Sequence, residues 1–549
     1  MSAPGDNAEF DYIIAGSGTA GCVLANRLSA DKDIRVCMIE AGPPDKSPLV
    51  HIPAAVGALI NHKTMGWGYF TVPQSHLNGR RIIVPRGRVL GGCSSTNGMV
   101  YFRGQPKDFD DWAAQGNPGW SFREVLPYFL RSENNETWRD SPWHGTDGPM
   151  AVSDINRNNP MVDVFLEATT SLGYPRCPDF NAMLEPNGFD KRQGCIHKGR
   201  RVSGVTAFIN PVKNRDNLVI MTSALVTRVL LNGRRATGVE INSSGEIKRL
   251  TAKREVVLAG GAFGSPQMLM LSGIGDGGEL NDLGIAVRHD LPAVGKNYHD
   301  HLAIGILYSM KNSDSYGLSW RALPRDIWNV IEYLLFRRGP LASNLFEAMG
   351  FLHTAPDLDR PDIQFVFQPA ARNKVPFPIP LGHGFAMNPV LLYPKSRGTV
   401  SLASPDPHAK PLIDPNLLGD ERDIEPLVRS IKISRQILTA PAFERYHGVE
   451  YAPGPEVRDD AGLKEYVRNN AATVHHPVST CRMGPGADSV VDAELRVHGM
   501  EGLRVADASV FPNVVGGNTN AAVVMVAEKA SDMIIGRPAP EPLDLDDEN

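Results

Sequence analysis

Apolar residues fall first into short uninterrupted runs and later into helical spacing. Asp11-Tyr12-Ile13-Ile14-Ala15 is too short a run for a helix and reads as a buried strand. It enters Gly16-Ser17-Gly18-Thr19-Ala20-Gly21, after which Cys22, Val23, Leu24 and Leu28 repeat as on one side of a helix. Arg35 to Ile39 is a second strand, ending at Glu40. From Leu218 to Ile241, Val, Ile and Leu alternate with polar residues around Asn232-Gly233, which predicts a hairpin. Glu255 to Ala259 predicts a strand entering the turn Gly260 to Pro266, then a helix from Gln267 to Leu271 that stops at Ser272-Gly273. Helical period returns at Arg325 to Arg337 and Asp423 to Leu438; Leu503 to Ala506 is a strand ending at Asp507, and Ala521 to Ile535 a helix. Two strand, glycine turn and helix units imply an α/β fold with a parallel sheet whose loops face a ligand. Gly116 to Gly148 reads as surface connection with short helices, and Val375 to Leu381 as a proline-rich loop.

The change of texture near Tyr308 to Tyr466 marks a second lobe inserted into the first. A chain of 549 residues exceeds what one core usually serves. We therefore expect a discontinuous dinucleotide-binding domain (1–155, 215–307 and 467–549) interleaved with a substrate-binding domain (156–214 and 308–466). A net charge of −5 without a basic stripe excludes nucleic acid as an expected partner. Six scattered cysteines, with no Cys-x-x-Cys pair, predict reduced thiols and no metal site. Met1 to Glu9 lacks the charge and apolar core of a leader, and no apolar run approaches the roughly 18 to 20 residues of a membrane span. The expected location is cytoplasmic, with peripheral contact at the inner membrane face left open. Glu541 to Asn549 reads as a solvated tail.

Candidate chemistry sits in three places. Gly16, Gly18 and Gly21 permit a tight turn whose backbone N–H groups approach a pyrophosphate, and Glu40 follows at about the twenty-residue spacing of a ribose-binding acid. Glycines alone fit an ordinary turn equally well, but the flanking strands, helix and acid make a dinucleotide site, either FAD or NAD. Gly273-Ile274-Gly275-Asp276-Gly277-Gly278 resembles a second fingerprint but follows a helix, so it reads as a helix stop and turn. Pro85 to Met99 is rich in small residues, as backbone passing close to a ligand would be. Near the end, His475-His476-Pro477 precedes Gly516-Gly517-Asn518-Thr519-Asn520 by some forty residues. An imidazole that takes a proton and a carboxamide that holds an alkoxide suit hydride removal from an alcohol; the plain alternative has Asn518 and Asn520 capping the following helix.

With these segments assembled, the chain resembles the glucose-methanol-choline (GMC) family of FAD-dependent oxidoreductases over nearly its full length. Gly261 to Gly275 looks like the family's second signature and Gly87 to Asn97 like its first, departing at Cys93 and Thr96; Val294 to His301 resembles a third segment. Leu77-Asn78-Gly79-Arg80 and Tyr393 to Gly398 look most like bacterial dehydrogenases of aliphatic alcohols, polyethylene glycols and L-sorbose. The resemblance implies an α/β fold in which a Rossmann-type FAD-binding domain is interleaved with an α+β substrate-binding domain carrying an antiparallel sheet, and FAD bound through Gly16, Gly18, Thr19, Ala20, Gly21, Glu40, Ala41, Arg88, Gly91, Gly92, Ser95, Asn97, Gly98, Met99, Val100, Val226, Gly260, Asp507, Ala508, Asn518, Thr519 and Asn520. It implies non-covalent FAD, since Thr96 stands where some relatives have a tethering histidine. His476 matches the family's catalytic base and Asn518 its partner, whereas His475 has no match.

The implied reaction oxidises a primary or secondary alcohol to aldehyde or ketone, with hydride passing to flavin N5. Lack of a second nucleotide site favours a quinone or other non-nicotinamide acceptor, which an artificial electron acceptor can replace. Dioxygen, as in an alcohol oxidase, and a lyase of the hydroxynitrile lyase type stay open. Phe346, Phe365 and Phe367 are apolar candidates for the substrate lobe; Glu347 carries no substrate assignment.

Overall fold

The computed structural model describes residues 5–545 except 61, 156–158 and 371–380. Its first sheet has seven strands. Ala8–Ala15 lies at the centre, pairing in parallel with Val36–Ile39 on one side and with Glu246–Leu258 on the other. Every residue of Val36–Ile39 is buried, as a strand covered on both faces must be. Leu218–Met221 extends the sheet beyond Val36–Ile39, also in parallel. The expected hairpin is therefore shorter than its apolar run: it joins Ala224–Asn232 to Arg235–Ser243, and Leu218–Met221 is a separate strand. The turn residues are Gly233 and Arg234, one position later than Asn232-Gly233, because Asn232 is already paired with Arg235.

Glu255 to Leu258 is the last part of the long strand Glu246–Leu258, whose end also pairs in parallel with Leu503–Val505. The following helix begins at Gly261, well before the expected Gln267. Pro266 breaks no needed bond there. Its missing N–H leaves the Ala262 carbonyl free, and Thr480 Oγ1 donates to that oxygen at 2.7 Å. Gly273 to Gly278 is a helix stop, and a short helix, Gly277–Asp282, starts on an Asp276 cap.

Ile306–Met310, His383–Leu391, Ile363–Gln368, Ala348–Leu352 and Gly188–Lys191 form the body of a second, antiparallel sheet, with Val449–Ala452 at one edge. Leu302–Ala303, at a seam between the expected domains, pairs with His383–Leu391 on one side and with Ala472–Thr473, at another seam, on the other, tying this sheet to the first lobe. Helix Ile424–Leu438 packs on it through Leu427, Ile431 and Leu438. Val375 to Pro380 lies outside the described residues.

The stretch Gly116 to Gly148 contains a helix, Phe122–Ser132, and exposed connections such as Glu136 to Thr137 and Arg139 to Asp140, but its tryptophans reach the interior. Trp120, Trp143 and the nearby Trp112 are all buried, Trp143 against Phe122 and Trp112 against Trp120. Beside them Glu133 pairs with buried Arg103 and accepts from His144 Nδ1 at 2.8 Å. Scattered aromatics without period gave no sign of this, because the residues they pack against are distant in sequence. The carboxyl-terminal tail is partly docked: Leu543 N donates to Arg123 O at 2.9 Å, and Leu543 and Leu545 lie against the core. Residues 546–549 lie outside the described set.

Candidate active site

A cavity of about 730 Å³ runs from the carboxyl ends of the parallel strands to the face of the antiparallel sheet. Gly16, Gly18, Thr19, Ala20, Glu40, Ala41, Gly92, Asn97, Gly98, Met99, Val100, Val226, Gly260, Asp507, Ala508, His476, Asn518, Thr519 and Asn520 all line it. Gly21, Arg88, Gly91 and Ser95 stand behind the wall and shape it. A Cβ on Gly21 would lie 2.0 Å from Gly16 O, so only glycine lets the helix start press against the strand end. Gly91 N donates to Ser17 Oγ at 3.2 Å, Ser95 Oγ to Leu90 O at 2.8 Å, and Arg88 lies 5.2 Å over the Trp67 ring.

The Glu40 carboxylate is fixed by Ser17 Oγ (2.7 Å) and Gly42 N (2.7 Å), and burial pushes its pKa up. Asp507 accepts from Gly261 N (2.8 Å), Ser265 Oγ (2.6 Å) and Ser509 Oγ (2.6 Å), tying the end of strand Leu503–Val505 to the turn at Gly260. Helices Thr19–Leu28 and Asn520–Ile535 both start at the cavity, and Thr19 Oγ1 donates to Asn520 Oδ1 at 2.8 Å. Asn518 and Asn520 are thus not caps, and the residue preceding the last helix, Thr519, makes no side-chain cap bond. Two positive helix ends face one space, as an anionic cofactor requires. Arg27 Nη2 and Glu528 Oε1, 2.7 Å apart, hold the helices together.

His476 is placed by strain and pairing. His475 and Ser479 sit at φ +70° and +74°, a region costly for such residues, while Pro477 biases His476 towards extended backbone. Arg86 donates to the His475 carbonyl, and His299 and Val478 exchange backbone bonds at 3.2 and 2.9 Å. That pairing lays His301 beside His476, with Nδ1 to Nδ1 at 2.9 Å. On the other side Asn518 Nδ2 donates to His476 Nε2 at 3.2 Å. With the amide so oriented, His476 carries its proton on Nδ1, and its Nε2 lone pair accepts from Asn518 until a substrate hydroxyl takes the amide's place. Burial, then the neighbouring His301, His475 and Arg86, hold its pKa well below the ordinary value; burial lowers His301 to about 4. Both rings are neutral at pH 7.

His301 and Asp300 were not singled out as chemical residues from sequence, although they close the Val294 to His301 segment. Asp300 Oδ1 accepts the His476 backbone N–H at 2.8 Å and Oδ2 accepts Tyr298 OH at 3.1 Å. Burial pushes Asp300 up to about 7. Of the apolar candidates only Phe346 lines the cavity. Phe365 and Phe367 point into the opposite core, Phe367 stacking on Phe165 at 4.6 Å; Gln364, Val366 and Gln368, the alternate residues of that strand, face the cavity. Glu347 is used up inside the protein by Asn159 N, Ser343 Oγ and Tyr316 OH.

The cavity suits FAD on its own geometry: it has close backbone turns, two helix starts, and a buried Asn518 Oδ1 without a partner among the described residues. Residues 10–303 match the GMC oxidoreductase amino-terminal domain and residues 394–527 its carboxyl-terminal domain. The chain belongs to the GMC oxidoreductase family, and its cofactor is FAD. It is 43% identical over 530 residues, 96% of each chain, to an alcohol dehydrogenase [acceptor] of Pseudomonas putida. It is 41% identical over 533 residues, again 96% of each, to an oxygen-dependent choline dehydrogenase of Rhizobium etli (strain CIAT 652). Pyridoxine 4-oxidase from Mesorbium loti superposes with a TM-score of 0.85 at 32% identity, covering 95% of this chain and 98% of that one. A formate oxidase of Aspergillus oryzae RIB40 does so at 0.87 and 28%, covering 97% and 99%. The protein is thus an oxidoreductase of a family acting on alcohol-type donors.

Proposed function

We propose that the protein oxidises a primary or secondary alcohol to the aldehyde or ketone and passes the electrons to a quinone or another non-nicotinamide acceptor. The observation that carries this reading is the lone pair of neutral, buried His476 Nε2 in the cavity wall, 3.2 Å from the Asn518 amide. FAD, held without a covalent bond along the residues that line the glycine-rich end, supplies the hydride acceptor. His476 Nε2 takes the hydroxyl proton. The Asn518 amide steadies the alkoxide oxygen, and His301 Nδ1 accepts from His476 Nδ1–H and so fixes the tautomer. Asp300, through the backbone N–H, keeps the ring in place.

The test is anaerobic bleaching of the visible flavin band by aliphatic, aromatic, polyol and choline-type alcohols, followed by air. Bleaching with slow recovery in air supports the dehydrogenase; fast recovery with hydrogen peroxide makes it an oxidase. A substrate turned over without bleaching would point to the lyase reading and overturn the proposal.

Asp300 gives this reading a pH signature. Ionised above about pH 7, it places a negative charge beside the imidazolium that forms on His476; protonated below, it does not. His476 stays in its base form across the same window. The rate of flavin reduction should therefore rise between pH 6 and 8 and level off, and Asp300→Asn should flatten the rise. A rise that persists in Asp300→Asn would assign it to another group.

Peripheral membrane attachment has a specific support. Helix Leu323–Phe336 buries only Glu332 and Tyr333, while Trp320, Leu334, Leu335 and Phe336 are 80%, 63%, 68% and 59% exposed. Exposed Arg321, Arg337 and Arg338 flank it, complementary to anionic headgroups. Among the described residues no helix is long and apolar enough to cross a membrane, so this helix would lie in the interface. The protein should float with vesicles containing phosphatidylglycerol, and the Leu334→Glu, Leu335→Glu double variant should lose most of that binding. Equal flotation of both, or a dimer that the variant dissociates, would defeat the attachment.

A further inference from the structure

Arg192 is an anomaly that alcohol oxidation alone does not use. It is only 3% exposed, yet it lines the cavity. Among the described residues its Nε and Nη2 find no hydrogen-bond partner. The guanidinium carbon lies 5.6 Å from the centre of the Phe346 ring. The neighbouring carboxylate, Glu347, does not neutralise it by contact, because its oxygens accept from Asn159 N at 2.6 Å and from Ser343 Oγ and Tyr316 OH at 2.7 Å each. A buried charge without a bonded partner is costly to keep.

Its place in the fold is where the antiparallel sheet meets the wall segment Gly98 to Tyr101. The strand that follows Arg192 runs beside the wall segment Met99 to Tyr101, with Tyr101 N donating to Gln193 O at 3.1 Å and Cys195 N to Met99 O at 2.7 Å. Asn344, two residues before Phe346, donates from Nδ2 to Gly98 O at 2.5 Å. Among the described residues the cavity is lined by two carboxylates, Glu40 and Asp507, each bonded to a glycine N–H of the parallel-sheet loops and neither to Arg192. On strands Ile363–Gln368 and His383–Leu391 of the antiparallel sheet the polar lining is carboxamide: Gln364, Gln368 and Asn388. Carboxamides hydrogen-bond to a substrate without neutralising a cation.

We infer that Arg192 is a specificity-determining residue that binds a carboxylate carried by the alcohol substrate, so that the preferred donors are hydroxy acids and not choline-like cations. This rests on the alcohol-oxidation reading. A guanidinium pairs with a carboxylate through two parallel N–H bonds, and a quaternary ammonium would meet like charge at the same point. The bound anion would supply the partner that the protein withholds.

Two measurements on the FAD-loaded protein separate this inference from the reading beneath it. The first titrates acetate, butyrate and hexanoate, none of which can be oxidised as an alcohol, and follows the shift of the flavin absorption. At least one should bind, and Arg192→Gln should weaken it roughly 10- to 100-fold, with Arg192→Lys in between. The second compares kcat/KM for glycolate and for terminal hydroxybutyrate and hydroxyhexanoate with the neutral alcohol of equal length. The acid-to-neutral ratio should favour the acid and fall by a similar factor in Arg192→Gln, mainly through KM, while choline gains relative to both. FAD content and melting temperature verify that each variant is folded. No carboxylate binding in the wild type, or a ratio that Arg192→Gln leaves unchanged, overturns the inference while alcohol oxidation stands. Arg192-dependent carboxylate binding with no alcohol reducing the flavin would sink the oxidation reading and leave the anion site.

Discussion

Replacing His476 with alanine should slow reduction of the bound FAD by an alcohol substrate roughly 10²- to 10⁴-fold, the usual contribution of a general base. FAD content should change little. The residues at the glycine-rich end of the cavity are far along the chain from His476 and bonded among themselves, as Asp507 is to Gly261 and Ser265. The loss should therefore appear in the chemical step, read by anaerobic stopped-flow bleaching, and not in stoichiometry. Added imidazole should restore part of the rate, since the vacated ring lies in a cavity wall. His301→Asn provides a second reading of the same arrangement. It keeps a hydrogen-bonding group near His476 Nδ1 but relaxes the tautomer that the 2.9 Å contact enforces, so its effect should be smaller than that of His476→Ala. A His476→Ala protein that binds FAD and is bleached at the wild-type rate would remove His476 from the mechanism.

Much of the first lobe was legible because its signals are local. The strand to Ala15, the glycine turn and Glu40 lie within thirty residues of one another, and a buried parallel strand shows as an unbroken apolar run. Leu218–Met221 was misassigned for the same reason. An apolar run next to a good hairpin turn looks like part of the hairpin, and its true partner, Val36–Ile39, lies far back in the chain. His476 and Asn518 could be picked out by residue type and motif, but His301 could not. It reaches His476 through long-range backbone pairings, of His299 with Val478 and of Leu302 with Thr473. Phe365 and Phe367 show the limit of composition. Apolar residues in a substrate lobe look like candidates until the register of Ile363–Gln368 turns them to the core and leaves glutamines facing the cavity. The unbonded guanidinium of Arg192 had no sequence signal at all, because what a side chain bonds to is a property of its neighbours.

The second large effect concerns the cofactor cradle. Gly92→Val should yield protein that carries little or no FAD. Gly92 has φ +52°, a conformation valine resists, and a Cβ there would lie 2.8 Å from Gly18 Cα. The turn after the first strand and the run from Pro85 to Met99 meet at this point, and rigid backbone on both sides leaves no flexible group to give way. Prying them apart would widen the place where backbone must close on the cofactor. Because the FAD is proposed to be dissociable, the readout is direct: flavin released into the supernatant by acid, per mole of chain, and the rise in melting temperature when FAD is added. Gly98→Ala is the control. Nothing lies within 4 Å of a Cβ at Gly98, and its φ is not positive, so the protein itself tolerates the change. Any loss of FAD from Gly98→Ala would have to come from contact with the cofactor, whereas Gly92→Val should lower both FAD content and the stability of the FAD-free protein. If Gly92→Val kept a full complement of FAD, the close approach of the two turns would not be what holds the cofactor.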